Sequence, residues 1–344
     1  MIRARGRRPL VAAACLLVAL AVTACAGGSG PGVARAGQAL APTAAGFPDG
    51  PITIIAPANP GGGWDQTARQ IQQVWTEAGI LGVPVEVVNR GGAGGAIGLA
   101  ELVTTHRDDA RTLMVFGQVM LGALRTNDSP VSVGETVPIA RLLNEYQMVT
   151  VPADSDYGTL GELMDDFRRD PAAMAWAGGS AGGIDHILAG LLAQAAGADP
   201  RLVNYIAYAG GGEAAAAVMG GHVAAGISGF GEWKAYVESG RMRPLAVSAP
   251  ERIEGDATPT LQESGFDVVV SNWRGLTAPP GTDEETRDWL IRAAEQMRMS
   301  PQWREILRAN DWEDSFLPGA AFEDFLREET ATVDATLRAI GLIQ

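Results

Sequence analysis

Along the chain, short apolar runs alternate with stretches in which apolar positions recur every three or four residues. Ile52–Pro57, ITIIAP, is a continuous apolar run of strand length. The following segment sets Trp64, Ala68, Ile71, Trp75 and Ala78 on one face and meets Gly79 as a stop, which predicts a helix. Val83–Asn89, VPVEVVN, predicts a second strand. The glycine run RGGAGG then leads into a helix with Ala96, Leu99, Ala100 and Val103 along one side. Thr112–Gly117, TLMVFG, predicts a third strand. This βαβαβ rhythm implies a parallel sheet with helices on its faces.

The rhythm restarts after Met148–Pro152. Ala173–Gly178 reads as a strand, SAGG follows, and Ile184, Ile187, Leu188, Leu191 and Leu192 then align on one helical face. Further strands are predicted at Leu202–Tyr208, His222–Gly229 and Met242–Ala249, with helices around Ala214–Met219 and Glu232–Glu238 between them. The character changes near Val268–Gly281. Two long amphipathic helices are predicted to close the chain. The first has Thr282 as N-cap, with Glu285 three residues on as a capping box, and turns Trp289, Leu290, Ala293, Ala294 and Met297 inward. The second runs from Ala320 to Ile340, with Phe322, Phe325, Leu326, Val333 and Leu337 inward. The chain is therefore read as α/β with two units. The first takes residues 50–149 and 272–344, because the SNWRGLTA strand returns to it, and the second takes residues 150–271. Val149–Pro152 and Ser271–Arg274 are the expected hinges.

The N-terminus does not fit this pattern. Arg3, Arg5, Arg7 and Arg8 precede the apolar run Leu10–Val22, which is shorter than the ~20 residues needed to span a bilayer, and VTAC follows. Basic, apolar, then small residues is the layout of a secretory signal peptide, expected over residues 1–25. VTAC resembles a bacterial lipobox, which makes Cys25 the expected lipidation site. The other cysteine, Cys15, lies inside the segment to be removed, so no disulfide is expected. Residues 26–49 are rich in Gly, Ala and Pro without apolar periodicity and are expected to be a flexible tether. The formal charge is −14, and without the four arginines before Cys25 it falls to −18. Such a surface does not suit nucleic acid or anionic lipid.

Candidate chemistry sits where strands meet helices. Pro60–Asp65, Gly91–Gly95 and Gly178–Asp185 share one design, namely strand, glycine-rich turn, helix start. A helix start exposes unpaired N–H groups and the positive end of the helix dipole, and glycine lets an anion approach them. None of the three is a Walker A loop or a G-x-G-x-x-G fingerprint, and none carries a basic residue apart from Arg90 at one edge. Neutral amides without a lysine suit a carboxylate better than a triphosphate. Asp65 either caps its helix or holds a bridging water, and Trp64 either packs beneath the loop or lines the cleft.

Six blocks occur in order: PITIIAPANPGGGWDQTAR, VVNRGGAGGAIG, GGIDHILAGLL, YAGGGEAAAAVMGGHVAAG, ESGRMRPLAVSAPER and TPTLQESGFDVVVSNWRGLTAPPGT. Together they resemble the extracytoplasmic, Bug-type receptors of tripartite tricarboxylate transporters. The ANPGGGWDQTAR form is most similar to the tricarboxylate-receptor branch. HRDDARTLMV departs from the family by lacking a Pro-Asp-Gly turn before the third strand. The resemblance implies a two-lobed periplasmic-binding-protein fold of type II, a Venus flytrap, each lobe a mainly parallel sheet flanked by helices. It implies that a small carboxylate, a di- or tricarboxylate such as citrate, is held between the lobes and delivered unchanged to integral membrane subunits. Carried over residue by residue, Pro60, Gly61, Gly62 and Asp65, with Ala93 and Gly94 nearby, would bind from the first lobe. Ser180, Gly182, Gly183, Asp185, Tyr208 and Gly210 would bind from the second. Gln118 is assigned to the far end of the ligand. No cofactor or metal is implied. A monomer is expected, exported and held to the membrane only by a lipid.

Two other readings have some support. GGSAG, Gly178–Gly182, matches a nucleophile elbow, so Ser180 could serve a serine hydrolase. Of the downstream histidines, however, His186 is six residues on in the same helix and does not easily reach it, and His222 sits just before a strand. His106, His186 and His222 have no metal-ligand spacing, and Asp185–His186 reads as a first-turn acid followed by a polar histidine. The protein could also serve as a carboxylate sensor with no transport role.

Overall fold

The computed structural model describes residues 39–344. The basic start, the apolar run, Cys15 and Cys25 lie outside the described residues. The elements run β1 (Ile52–Ala56), α1 (Gly63–Glu77), β2 (Val85–Asn89), α2 (Ala96–Thr104), β3 (Thr112–Gly117), α3 (Gln118–Thr126), β4 (Val137–Pro152) and α4 (Leu160–Arg169). They continue with β5 (Ala175–Gly178), α5 (Ile184–Ala195), β6 (Asn204–Ala207), α6 (Gly211–Met219), β7 (Ala225–Gly229), α7 (Phe230–Glu238) and β8 (Met242–Val247). β9 (Ser271–Ala278), α8 (Glu284–Met299), α9 (Pro301–Ala309), β10 (Glu313–Pro318) and α10 (Gly319–Ala339) complete the chain.

The strand order is β2-β1-β3-β9-β4-β7-β5-β6, with β10 and β8 also paired to β4. β1 pairs in parallel with β2 and β3, and β5 in parallel with β6 and β7, as the βαβ rhythm requires. The strands through the middle run the other way. β9 is antiparallel to β3 and β4, and β4 is antiparallel to β7 and β8. The sheet is thus mixed, because β9 enters it after a long return rather than a helical crossover.

One long strand joins the two halves. β4 pairs with β9 as far as Tyr146 and with β7 from Gln147 onward. The return crossing lies at Val270–Ser271, where Val270 N–H reaches the Ser248 carbonyl (3.2 Å) and Ser271 is registered with Tyr146. The handover in β4 therefore precedes the expected Val149–Pro152, since Val149 is already paired with Ile227 and Ala246. Apolar clusters follow the same division. Ile54, Trp75, Phe116, Trp273, Trp289 and Phe322 belong to one, and Val149, Phe167, Trp176, Leu188 and Ile227 to another. Trp273 anchors the first, edge-to-face with Phe116 (5.4 Å) and Phe322 (5.7 Å).

Several elements depart from expectation. α3, α4, α9 and β10 are additional, and β4 begins well before Met148. α9 is marked by Ser300, whose hydroxyl accepts the Trp303 N–H, and by Pro301 in its first turn. The cap of α8 is Asp283, which accepts the Thr286 N–H (2.9 Å), and Thr282 Oγ1 instead donates to the Pro279 carbonyl (2.9 Å). Glu285 reaches away from the cap to accept the Ala44 N–H (2.7 Å).

That last contact corrects the extent of the tether. Residues 39–49 are docked on the body. Leu40 N–H donates to the Ile80 carbonyl (2.9 Å), Trp289 Nε1 donates to the Ala41 carbonyl (2.8 Å), and the Phe47 ring sits edge-on to Trp289 (5.3 Å). Composition concealed this because only Leu40 and Phe47 supply large apolar surface. Phe47→Ala is expected to lower the unfolding free energy by about 1–2 kcal/mol, half the value of a fully buried aromatic, since the ring is half-buried. Chemical denaturation would measure it, and an unchanged midpoint would show that the segment adds nothing to the folded body.

Candidate functional site

α3 and α10 start at Gly117 and Pro318, away from the cavity and without a side-chain cap, and the other helices fall into two groups. α4, α8 and α9 begin with Thr159, Asp283 and Ser300, each accepting a backbone N–H of the first turn. α1, α2, α5, α6 and α7 begin with Gly62, Gly95, Gly183, Gly210 and Gly229, and none receives a side-chain cap. All five of these glycines line one cavity of about 900 Å³ between the two halves of the sheet. The first-turn amides of α1, α5 and α6 have no acceptor among the described residues. Their N–H groups and helix dipoles therefore face a common space.

Each half holds its glycine turn with an aspartate. Asp65 Oδ2 accepts the Gly61 N–H (2.8 Å), and Asp185 Oδ2 accepts the Gly179 N–H (2.8 Å). Asp65 therefore pins the turn before α1 and does not cap the helix. Burial pushes the Asp65 carboxyl upward, but hydrogen bonds from Arg69 (3.0 Å), Gly61 and Asn89 (2.8 Å) outweigh it and leave the group below its usual range. Among the described residues, Asp185 forms no ion pair. Burial pushes it up to about 7, against the Gly179 N–H and with the help of Glu232 and Glu145.

Of the residues assigned from sequence, Pro60, Gly61, Gly62, Asp65, Ala93, Gly94, Ser180, Gly183, Asp185 and Gly210 line the cavity. Gly182 and Tyr208 do not. Gly182 packs its carbonyl against Gly122 of α3, so closely that a Cβ on Gly122 would lie 2.0 Å away. Tyr208 joins the apolar cluster around Ala215, Val218 and Trp233. Gln118 is also elsewhere, since it is buried and its Oε1 accepts the Trp273 indole N–H (2.9 Å). Trp64 combines both of its expected roles, buried in the core while contributing to the cavity wall.

The elbow at Ser180 does not assemble a hydrolase. His186 Nδ1 accepts the Gly182 N–H (3.2 Å), and its ring stacks on Tyr205 at 4.1 Å. Burial lowers His186 to about 4, so it stays neutral. Among the described residues, no histidine hydrogen-bonds Ser180.

Sequence reasoning missed the residues that the middle strands and α7 send into the cavity. Glu145 and Gln147 come from β4, Asn272 and Arg274 from β9, and Ser228 and Glu232 from β7 and α7. Arg274 and Glu145 form a buried ion pair, and Arg274 also donates to Thr67 Oγ1 (3.1 Å) and the Gly63 carbonyl (3.3 Å). Burial moves Glu145 upward, opposed by Arg274 and reinforced by Glu232. Gln147 Nε2 and Asn272 Oδ1 are buried in the wall without a hydrogen-bond partner. The alternation of β4 and β9 was the one available signal, and it can be read only once the strand register is known.

Unsatisfied helix starts converging from two α/β halves on a roomy cleft define a solute-binding protein. The chain belongs to the tripartite tricarboxylate transporter receptor family, whose profile matches residues 67–342. BugT of Bordetella pertussis (strain Tohama I) is 31% identical over 257 residues, covering 73% of this chain and 77% of that protein. A TctC solute-binding protein from Polaromonas, solved without ligand, is 26% identical, with a TM-score of 0.66 over 85% of this chain and 99% of the other. MatC from Rhodopseudomonas palustris, solved with bound malate, shares the fold at 22% identity, with a TM-score of 0.74 over 85% of this chain and 100% of the other. These are receptors rather than enzymes. Among the described residues, no helix is long and apolar enough to cross a membrane.

The pairing of Asp65 has a pH signature. A carboxyl whose folded pKa lies below its unfolded value stabilises the fold fully above the unfolded pKa, and this contribution is lost as pH falls through the folded pKa. Asp65→Asn is expected to cost about 1–2 kcal/mol at neutral pH, since Arg69 is half-exposed and screened. The difference from wild type should stay constant above about pH 5 and shrink below about pH 4. Denaturant melts across pH 2.5–7 test this, and a difference that grows in acid would contradict the assigned bonds.

Proposed function

We propose that the protein captures a small organic acid, a di- or tricarboxylate such as citrate, between its two halves and delivers it to integral membrane subunits of a tripartite transporter. The observation that carries the reading is the convergence of five glycine-started helices on one cavity. Each charge-assisted hydrogen bond from such amides contributes roughly 1.5–3 kcal/mol, so two or three around a carboxylate support micromolar affinity. The amides of Gly63 and Trp64 in one half and of Ile184, Gly211 and Gly212 in the other would hold the acid. The crossings at Tyr146–Gln147 and Val270–Ser271 would be the hinges of residues 50–146 plus 271–344 against residues 147–270. Malate in MatC supports an organic acid as the ligand class. Export behind a signal peptide, with Cys25 as the lipid anchor and a monomeric receptor, completes the proposal. Sensing without transport would use the same cleft.

A thermal-shift screen against citrate, malate, succinate and other small acids tests the reading, because a ligand bound only by the folded state raises its stability. At a hundredfold excess over Kd the gain is about 2.7 kcal/mol, a rise on the order of 5 °C for a protein of this size. Gly212→Leu provides a matched control. A Cβ at Gly212 meets nothing within 4 Å, so the side chain should enter the cleft without straining the fold. The expected result is unchanged or higher stability with at least tenfold weaker binding. Equal binding by this variant would move the ligand elsewhere.

A further inference from the structure

The two halves touch on both flanks of the cleft, and by different means. On one flank, α5 lies against α3 and the C-terminal end of α10, with glycine at each contact. A Cβ on Gly122 would lie 2.0 Å from the Gly182 carbonyl oxygen, one on Gly183 would lie 3.2 Å from Val119, and one on Gly190 would lie 2.9 Å from Ile340. Close packing rather than an ion pair holds this side. On the other flank, α7 faces the corner between α9 and β10. There Lys234, the only lysine of the chain, donates to both carboxylate oxygens of Asp311 (3.0 and 2.8 Å). Among the described residues, this is the one ion pair that joins residues 147–270 to the other half.

Asp311 belongs to a corner fixed to the first half. Its neighbour Asn310 accepts the Gln66 side-chain amide of α1 (2.6 Å), and the buried Trp312 ring lies 5.2 Å from the Arg274 guanidinium. The Asp311 backbone is left-handed, with φ 53°, a conformation that aspartate tolerates. Lys234 extends from α7 over the Phe230 ring (5.7 Å). The same helix starts at the cleft. A Cβ on Gly231 would lie 2.5 Å from the Asn310 carbonyl oxygen. Glu232 reaches the start of α1, where a Cβ on Gly63 would meet Arg274 Nη2 at 2.6 Å and Glu232 Oε1 at 3.3 Å. The pair thus ties the wall that carries Glu232 to the half that carries Arg274. The Asp311 side chain is only 13% exposed, so the pair is screened less than one on the open surface.

We propose that Lys234 and Asp311 are positioning residues of the cleft. Their pair sets the angle between the halves and keeps the start of α7 against the start of α1, while the glycine contacts of α5 act as the pivot. This rests on the hinge reading above and adds its control. One breakable charge contact holds the arrangement in which the helix starts surround the cavity. The fraction of molecules competent to bind, and with it the apparent affinity, then depends on that pair.

Residues 39–344 contain no cysteine, so cysteines introduced at Glu238 of α7 and Arg304 of α9, both exposed, can carry spin labels whose separation reports this flank. Lys234→Met keeps the stem over Phe230 and removes the charge, and Asp311→Asn keeps a residue suited to the left-handed backbone. In ligand-free protein both are expected at least to double the share of longer separations, whereas Lys234→Arg keeps the wild-type distribution. Sodium chloride at about 1 M should move the wild type the same way without any substitution and leave Lys234→Met unchanged. Wild-type separations in Lys234→Met and Asp311→Asn, at wild-type melting temperatures, overturn the proposal. If citrate, L-malate or succinate still shifts the distribution in those variants, the hinge stands and only the role of the pair is lost. If an acid that raises the melting temperature leaves one and the same distribution in every protein, the halves do not turn at this flank, and the hinge reading falls with the inference.

Discussion

The structure is organised around hydrogen-bond donors that the chain leaves unpaired. A helix start normally finds a side chain or water for its first amides, and α4, α8 and α9 do so with Thr159, Asp283 and Ser300. At the cleft the chain places glycine instead, five times, and gains an open approach to those amides. The cost is small, because glycine as N-cap is only a few tenths of a kcal/mol worse than a capping side chain. The arrangement requires the strands to end together, since each helix start follows a strand end. β1, β2, β5, β6 and β7 lead into the five helices, which is why the parallel pairing of β2 with β1 and of β7, β5 and β6 bears directly on the site.

A second constraint fixes where those ends stand. Arg274 and Glu145 sit on the two strands that connect the halves, close to the point where β4 passes from one set of partners to the other. Arg274 also reaches the Gly63 carbonyl and Thr67, so the same guanidinium holds the start of α1 to the crossing. A buried pair of this kind adds little net stability over an apolar pair, but removing one partner strands a charge. Its role is positional. It sets α1 relative to the crossing strands, and through them relative to α7 and Glu232.

The local grammar of the chain made much of this legible. β1, α1, β3, α5 and α10 lie within a residue or two of their apolar patterns, and ten of the residues named from sequence line the cavity. Glycine turns are informative because their chemistry is in the backbone, which sequence position alone locates. Glu145, Gln147, Asn272 and Arg274 were not legible for the opposite reason. They act through side chains on strands, and which face of a strand meets the cleft depends on register, which in β4 shifts at two bulges against β9. Gly182 and Tyr208 lie off the cavity for a related reason. Both flank a glycine turn in sequence, yet Gly182 is taken up by packing against α3 and Tyr208 by an apolar cluster. The docked segment at residues 39–49 was hidden because its anchors are backbone N–H and C=O groups and one aromatic ring rather than a periodic face.

The two turn-holding aspartates show how the halves differ despite a shared design. Both accept a glycine N–H at 2.8 Å, and both stand at the start of a helix. Asp65 has Arg69 and Asn89 beside it, and against its burial their hydrogen bonds hold its carboxyl below the usual range. Asp185 has only the Gly179 N–H, with Glu232 and Glu145 near it, and it titrates near neutrality. Hydrogen bonds thus favour the charged form of the first carboxyl, whereas burial and nearby carboxylates favour the protonated form of the second. An anion nearby favours the protonated carboxyl, and a cation favours the carboxylate. The two aspartates therefore hold matching turns in different electrostatic surroundings, one paired with a cation and one facing other carboxylates.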